Sequence, residues 1–281
     1  ITRLPLTLEY GVLRRLTLGV SAPLVRRRVE ISADTGIRAA GAPPSVTRVT
    51  DLSAFANLNH SNVGDIDFSA RIGILDGFAS SAPLRARLAV EGIFRLAAGP
   101  SRNASVLTDP GAGDGQNDIE GRVLADLALG RRWSISARAT RTVQRPDRQL
   151  IVSADSVFPS RRIAMGVERD LGDITAIDVI PRVTITRFLS LAGVVSQRSK
   201  GADTYDGAVP APAWGLVAEP TGSSSTTRVG IGVVFATGPG AIGRAPLELS
   251  FQHSQLVRTS GSTVPDFRAD QIGGRVYIKL F

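Results

Sequence analysis

The sequence predicts an all-β protein: a transmembrane antiparallel up-and-down β-barrel of about 12 strands that forms a single domain over residues 1–281. Apolar and polar residues alternate with the two-residue period of a β-strand through most of the chain, while helical periodicity is scarce. Short and long links alternate between these segments, which is typical of bacterial outer-membrane barrels. The segments run about 10–15 residues, longer than a usual strand of about 5–6 and long enough for a tilted strand that crosses a membrane.

About eleven segments carry the alternation, and each has one apolar and one polar face. In the first segment, Leu4, Leu6 and Leu8 share a face, and in the last, Arg275 and Lys279 lie opposite the apolar residues. The predicted strands are 2–10, 16–31, 64–75, 83–97, 117–129, 132–144, 174–186, 188–200, 226–237, 246–258 and 271–281.

The order of the connections favours a barrel over a β-sandwich, because a sandwich has no reason to alternate short and long links. The short links lie near 11–14, 76–82, 130–131, 186–188 and 238–245, and the long links lie near 33–63, 99–116, 145–173 and 201–225. Within one long link, the apolar pieces 150–152 and 163–167 predict a hairpin that extends the neighbouring strands.

The direction of the strands predicts one strand outside this sequence. If the short turns are periplasmic, the last strand and the first segment both run towards the periplasm. A closed bacterial barrel has an even number of strands with both ends on that side, so we expect a further strand before Ile1. The terminal Phe281 is typical of such barrels, although Lys279 stands where that ending usually has an apolar residue.

Composition narrows the possible partners. The formal net charge is +8 and the basic residues are almost all arginine, but aromatic residues make up only 5% of the chain. A single-strand nucleic-acid platform needs aromatic faces for stacking, so no nucleic-acid partner is expected. The chain has no cysteine and no apolar run near the roughly 20 residues of a membrane-spanning helix. No leader precedes the first segment, as expected of a mature or partial chain.

The polar faces carry charges at mid-strand. In a soluble barrel these charges would have to lie outside, whereas in a membrane barrel they would line the lumen. The candidate lumen-lining residues are Arg71, Arg85, Arg87, Glu91, Arg95, Glu120, Arg122, Asp126, Arg138, Asp178, Arg182, Arg228, Glu248 and Arg275. Arginines outnumber carboxylates in this set, so we expect any conductance to favour anions.

Two groups of residues point to the membrane surface. The aromatic residues Tyr10, Phe78, Trp133 and Phe188 fall near predicted short turns, which fits an interfacial aromatic belt as well as scattered core aromatics. The run 26–28, three arginines near the outer end of its strand, fits lipopolysaccharide phosphates, which match the fork of a guanidinium. A solvated rim explains the run equally well.

Neither a metal site nor an enzyme is expected. The run 109–118 has the oxygen ligands and glycines of a Ca²⁺ loop, with Asp109, Asp114 and Asp118 as candidates, but it lacks the EF-hand spacing. A flexible outer loop is the favoured interpretation, and no cofactor is expected.

The two histidines are His60, placed in a loop, and His253. Since adjacent strand residues face opposite ways, His253 and its neighbour Ser254 cannot form a catalytic dyad directly.

Four short motifs resemble one family of proteins. They are L-T-L-E-Y-G-V-L-R-R-L-T-L-G-V-S-A-P (6–23), N-V-G-D-I-D-F (62–68), G-D-G-Q-N-D-I-E-G (113–121) and P-R-V-T-I-T-R-F-L-S-L (181–191). The sequence is similar to outer-membrane proteins of the phenol-degradation-pathway or general solute-transporter type, distant relatives of the long-chain fatty-acid channels. The resemblance implies a barrel in the bacterial outer membrane, in contact with lipid and lipopolysaccharide. No catalytic residues carry over from it.

Two functions remain open at this point. The first is a channel or transporter for passive diffusion of small solutes, either anions or small organic substrates. The alternative is a structural or anchoring barrel that binds a partner protein through its loops or its periplasmic face. A barrel packed with arginine–carboxylate pairs would favour the alternative, and a lumen that passes solutes would favour the channel.

Overall fold

The structure is a computed structural model. It describes residues 2–29, 58–77, 82–100, 112–113, 115–130, 132–154, 162–206, 222–237, 247–261 and 268–276. The strands are β1 (Thr2–Leu13), β2 (Leu16–Val29), β3 (Leu58–Val63), β4 (Ile66–Asp76), β5 (Leu84–Leu96), β6 (Asp118–Leu129), β7 (Trp133–Gln144), β8 (Asp147–Ala154), β9 (Arg162–Asp170), β10 (Ile174–Thr184), β11 (Leu189–Lys200), β12 (Thr204–Asp206), β13 (Ser224–Ala236), β14 (Leu247–Gly261) and β15 (Arg268–Val276). None of the described residues forms a helix long and apolar enough to cross a membrane.

Most strands belong to one antiparallel sheet with an up-and-down order. The sheet runs β1-β2-β4-β5-β6-β7-β10-β11-β13-β14-β15, eleven strands in chain order, with β3 paired to β2 beside this path. This arrangement confirms the predicted all-β meander and its number of long strands in this chain. Among the described pairings, β1 and β15 each have one neighbour, and the expectation of a further strand before Ile1 stays a prediction.

The link predicted at 33–63 was wrong at its end, because Leu58–Val63 forms β3. This strand pairs with the second half of β2, from Leu24 opposite Val63 to Val29 opposite Leu58. Only Gly64 and Asp65 separate β3 from β4, so the two act as one bent strand. Between Leu58 and Val63, the residues of β3 are polar on both faces, so the strand shows no apolar alternation. His60 therefore lies in a strand, opposite Arg27, and not in a loop.

A second, three-stranded sheet stands at the end of the molecule where the long links lie. It contains β8, β9 and β12 in the order β12-β9-β8. The register places Asp147 opposite Arg169 and Thr204 opposite Asp170. The predicted hairpin within 145–173 is thus confirmed, and β9 is not a member of the main sheet. At the opposite end, the first turn lies at Arg14–Arg15, between β1 and β2, because β1 extends beyond the predicted residue 10.

Exposure alternates along the strands of the main sheet, and the exposed positions are apolar. In β5, Val90 and Phe94 are exposed, while Ala89, Glu91 and Ile93 are buried. We call the face with the exposed apolar side chains the outer face and the opposite one the inner face. The outer face includes Leu4, Leu6, Leu8, Ile72, Val123, Ile177, Val195, Ile231 and Phe251. A soluble monomer rarely exposes a contiguous apolar patch above a few hundred Å², so this surface fits lipid.

Replacing an apolar residue at the centre of the outer face by arginine tests this polarity. Ile231, near the middle of β13, is 73% exposed, so in water its replacement would be nearly neutral. In phospholipid vesicles we expect Ile231→Arg to lower the free energy of unfolding by about 2–4 kcal/mol, because the charge enters hydrocarbon. Val257→Arg, towards the long-link end of β14, should cost only about 0–1 kcal/mol. Urea titration measures both, and equal small effects would show that the outer face meets water.

Candidate functional site

The inner face gathers the charged side chains of many strands. Strand period two brings every predicted lumen-lining residue with a described side chain to this face: Arg71, Arg85, Arg87, Glu91, Arg95, Glu120, Arg122, Asp126, Arg138, Asp178, Arg182, Arg228 and Glu248. Arg275 lies in β15, opposite Glu248, but its side chain is outside the described part of the chain. Whether these residues line an aqueous lumen stays a prediction.

Glu91 is the centre of the charge arrangement. The register puts Glu91 on β5 directly between Arg71 on β4 and Arg122 on β6. Its Oε1 lies 3.0 Å from Nη2 of Arg71, and its Oε2 lies 3.1 Å from Nη1 of Arg122. The Glu91 side chain is only 4% exposed. A buried carboxylate is expensive unless it is paired and hydrogen-bonded, and here each of its oxygens has its own guanidinium.

The arrangement extends to both sides of Glu91. Nη2 of Arg71 also donates to Oε1 of Glu9 on β1, at 2.9 Å. On the other side, Nε of Arg122 bonds to Oε1 of Glu120, whose Oε2 accepts a hydrogen bond from Oγ1 of Thr142 at 3.0 Å. We name the set Glu9, Arg71, Glu91, Arg122, Glu120 and Thr142 the inner network. It links β1, β4, β5, β6 and β7.

Gly19 leaves space for the contact between Arg71 and Glu9, which passes across β2. Glu9 and Arg71 are on strands that flank β2, and Gly19 of β2 lies opposite Glu9. A Cβ atom at Gly19 would lie 2.5 Å from Oγ of Ser69 and 3.6 Å from Cγ of Glu9. A side chain at position 19 would therefore collide with the side chain of Ser69 and fill the space beside Glu9, across which Arg71 reaches its partner. Glu9 is not among the residues predicted to line the lumen, although the alternation in β1 places it on the polar face.

A second cluster lies nearer the long-link end of the sheet. Arg95 donates from Nε and Nη2 to the two carboxylate oxygens of Asp67, at 2.9 and 3.3 Å. Nη1 of Arg95 lies 3.5 Å from Oδ2 of Asp118, whose side chain is 1% exposed. Asp118 is thus held by an arginine in this structure.

The calcium candidates share no site in the described part of the chain. Asp109 and Asp114 lie outside the described residues, and Asp118 contacts Arg95. No group of three or more His, Cys, Asp or Glu side chains among the described residues could hold a metal ion.

The wall formed by β11, β13 and β14 differs from the inner network. Its inner positions are mostly small: Ala192, Ser196, Gly230, Gly232, Ser250 and Ser254. Two of its larger inner residues are arginines: Arg198 stands opposite Thr226, and Arg228 stands opposite Ser196. Such diagonal neighbours on one face are about 7–8 Å apart. The other larger or charged inner residues of this wall include Val194, Lys200, Val234 and Glu248. The inner face is therefore asymmetric, with paired charges over β1–β7 and small residues with two adjacent arginines on this wall.

β10 joins the two halves. Its Asp178 accepts hydrogen bonds from Nε and Nη2 of Arg138 on β7, at 2.9 and 2.6 Å. Next to this pair, Oγ of Ser136 donates to Oδ1 of Asp126 at 2.6 Å. Arg138 of β7 and Asp178 of β10 thus compensate each other within the wall.

The predicted aromatic belt is placed as follows. Tyr10 and Trp133 are exposed on the outer face close to short turns. The ring centre of Phe188 lies 6.2 Å from that of Phe235. The guanidinium of Arg187 lies over the Phe188 ring, 4.4 Å from its centre. Phe78 is outside the described residues, as are Lys279 and Phe281.

The arginine run 26–28 cannot form one patch with all its members. Arg26 is exposed and Arg27 is buried, because consecutive residues of β2 face opposite sides of the sheet. The side chain of Arg28 lies outside the described set. Likewise His253 pairs with Ile231 on the outer face while Ser254 pairs with Gly230 on the inner face, as the alternation predicts.

Comparison with known proteins identifies the fold. No protein-family model matches the chain, and no curated protein matches it either. Among solved structures, the chain is similar to the crystal structure of the COG4313 outer membrane channel from Pseudomonas putida F1, with a TM-score of 0.60 and 15% identity over 98% of this chain and 82% of that chain. The similarity confirms the predicted outer-membrane barrel fold.

Removing the central carboxylate tests the inner network. We expect Glu91→Gln to lower the free energy of unfolding in detergent by about 2–4 kcal/mol, because two adjacent guanidiniums lose their shared counter-charge. As a matched control, Asp76→Asn removes a carboxylate from the exposed contact between Arg87 and Asp76, 3.5 Å long. That change should cost less than about 1 kcal/mol. Equal effects of the two substitutions in urea titrations would contradict a central role for Glu91.

Proposed function

We propose that this protein is a channel of the bacterial outer membrane for passive diffusion of small solutes, with a preference for anions. The observation that carries the proposal is the polarity of the sheet, which is apolar outside and charged inside. Lipid suits the outer face and water suits the inner face, as in transmembrane barrels. The fold similarity to an outer membrane channel supports the same location and role.

The asymmetry of the inner face suggests where solutes pass. In the inner network, guanidinium and carboxylate groups bind each other across strands, and their side chains occupy space on one side of the bore. On the β11–β13–β14 wall, inner positions such as Ala192, Gly230 and Gly232 leave more room. We infer that the permeation path follows this wall.

The same wall supports a preference for anions. Arg198 and Arg228 are neighbours there, and two adjacent positive charges raise the local concentration of anions. Val194 and Val234 are apolar residues on the inner face of the same wall, which makes this wall less polar than the inner network. Small organic anions would satisfy both features, and the sequence resemblance to solute transporters of the phenol-degradation type agrees with an organic substrate.

Charge reversal on this wall tests the function. In planar bilayers under a salt gradient, we expect the reversal potential of the native protein to indicate anion preference. The double substitution R198E/R228E should reduce the preference or reverse it, because two fixed positive charges in the path become negative. Arg148→Glu is the control, since Arg148 lies on the β8–β9 hairpin and its side chain is 83% exposed.

Two outcomes would contradict the proposal. Strong cation preference of the native protein would remove the argument from Arg198 and Arg228. Correctly inserted protein that supports neither ion conductance nor solute flux in liposome swelling would favour the alternative, an anchoring barrel that binds a partner protein. The extensive pairing within the inner network is the observation that keeps this alternative open.

A further inference from the structure

Arg141 breaks the apolar pattern of the outer face. Successive outer positions of β7 are Trp133, Ile135, Ala137 and Ala139, and the next is Arg141. Its side chain is 59% exposed. Its neighbours Val123, on β6, and Val143, on β7, are exposed apolar residues. A full charge therefore stands on the surface for which lipid contact is proposed.

The position of Arg141 along its strand explains how an apolar surface can carry a charge there. On β10, β11 and β13, outer positions change from apolar to polar near this row: from Ile177 to Thr175, from Val195 to Gln197, and from Val229 to Thr227. Ile119 on β6 and Val143 on β7, one outer position further on, are still apolar. An arginine on the lipid face costs about 2–4 kcal/mol at the bilayer midplane and about 0–1 kcal/mol near the interface. Arg141 thus lies near the end of the apolar band, where a charge costs less than at its centre.

The guanidinium of Arg141 is held in one orientation. Its Nη1 donates to Oγ1 of Thr175 at 2.8 Å, and its Nη2 donates to Oδ2 of Asp173 at 2.6 Å. Asp173 is fixed in turn, since its Oδ1 accepts a hydrogen bond from the backbone N–H of Gln144 at 3.2 Å. A guanidinium has five N–H donors, and these two bonds use only two of them within the described part of the chain. The remaining donors suit a second anionic group.

The wall beside Arg141 is open to a large ligand. Gly121 lies directly opposite Arg141 on β6, and Gly92 lies opposite Gly121 on β5. A Cβ atom at either glycine would have no other atom within 4 Å. Neither glycine has a positive φ, so the backbone does not require glycine at these positions. Their effect is a shallow step in the outer wall, bordered by the apolar side chains of Ile119 and Val123.

We propose that Arg141 and Thr175 bind the phosphate of a lipid headgroup in the outer leaflet, with the acyl chains of that lipid against the glycine step. Arginine matches phosphate geometry through paired N–H donors, and the threonine hydroxyl adds a further donor. Asp173 competes for the guanidinium, so the contact adds moderate affinity to a lipid that the apolar surface already attracts. An isolated phosphate gains nothing from that surface, which favours a lipid over a free anion.

The test compares lipid retention by refolded full-length variants in detergent micelles. Native mass spectrometry measures the bound fraction of bisphosphorylated lipid A, the probe. We expect Arg141→Gln to weaken retention about tenfold, the loss of one charge-assisted contact. Arg148→Gln on the β8–β9 hairpin, the control with the same charge change, should leave retention unchanged. The heat-dependent gel mobility typical of folded barrels verifies that each variant is folded.

Further arms identify the phosphate source and guard against misfolding. Lipid A without phosphates should bind the native protein about tenfold more weakly than bisphosphorylated lipid A does. It should bind Arg141→Gln as weakly as it binds the native protein. Thr175→Val, which keeps the charge, should weaken retention by a smaller factor and provides the test should Arg141→Gln fail to fold. Native-like retention by the folded variants, or equal binding of dephosphorylated lipid, would overturn the proposal. Displacement of lipid by millimolar inorganic phosphate would assign the site to free phosphate and overturn it too.

Discussion

The structure depends on one register of the strands, which places the apolar side chains on the outer face and pairs the charges on the inner face. Because side chains alternate with period two, a slip of one residue in the register of a strand would turn its apolar outer side chains inwards and its inner charges outwards. The contacts of Glu91 show how closely the inner face specifies this register, since Arg71 and Arg122 lie directly opposite it on the two neighbouring strands. Each arginine–carboxylate pair across neighbouring strands favours the same register. An apolar face would favour it less strongly, because apolar contacts are not directional.

This constraint also shapes the interior. Where opposite charges meet, as in the inner network and in the contacts of Arg95 and Arg138, the side chains bind one another and lie across the sheet. Where the strands carry glycine, alanine and serine, the wall recedes. In the proposed function, the inner network braces the strands on one side, and the side with small inner residues leaves room for solutes. The proposed path and the proposed anion preference both lie on the side with small inner residues.

Much of the fold was predictable because alternation and link length are encoded locally. The partners of each charge were not, since the contact of Arg71 with Glu9 depends on three strands in register and on the missing side chain of Gly19. β3 escaped prediction because its residues lie beyond the apolar part of the sheet and lack alternation. Arg141 is a different case: its place two residues after Ala139 on β7 predicts the apolar face from sequence alone, but its contacts with Thr175 and Asp173 depend on the pairing of β7 with β10.

The central claim is that the apolar face of the sheet meets lipid and the charged face meets water. The chain has no cysteine, so single cysteines at Val123, Leu124, Ala125 and Asp126 of β6 can each carry a fluorescent label in vesicles. Lipid-borne nitroxide should quench labels at Val123 and Ala125, and aqueous iodide should quench those at Leu124 and Asp126. The reverse pattern, with iodide reaching Val123 and Ala125 while the other two positions are shielded, would contradict the claim.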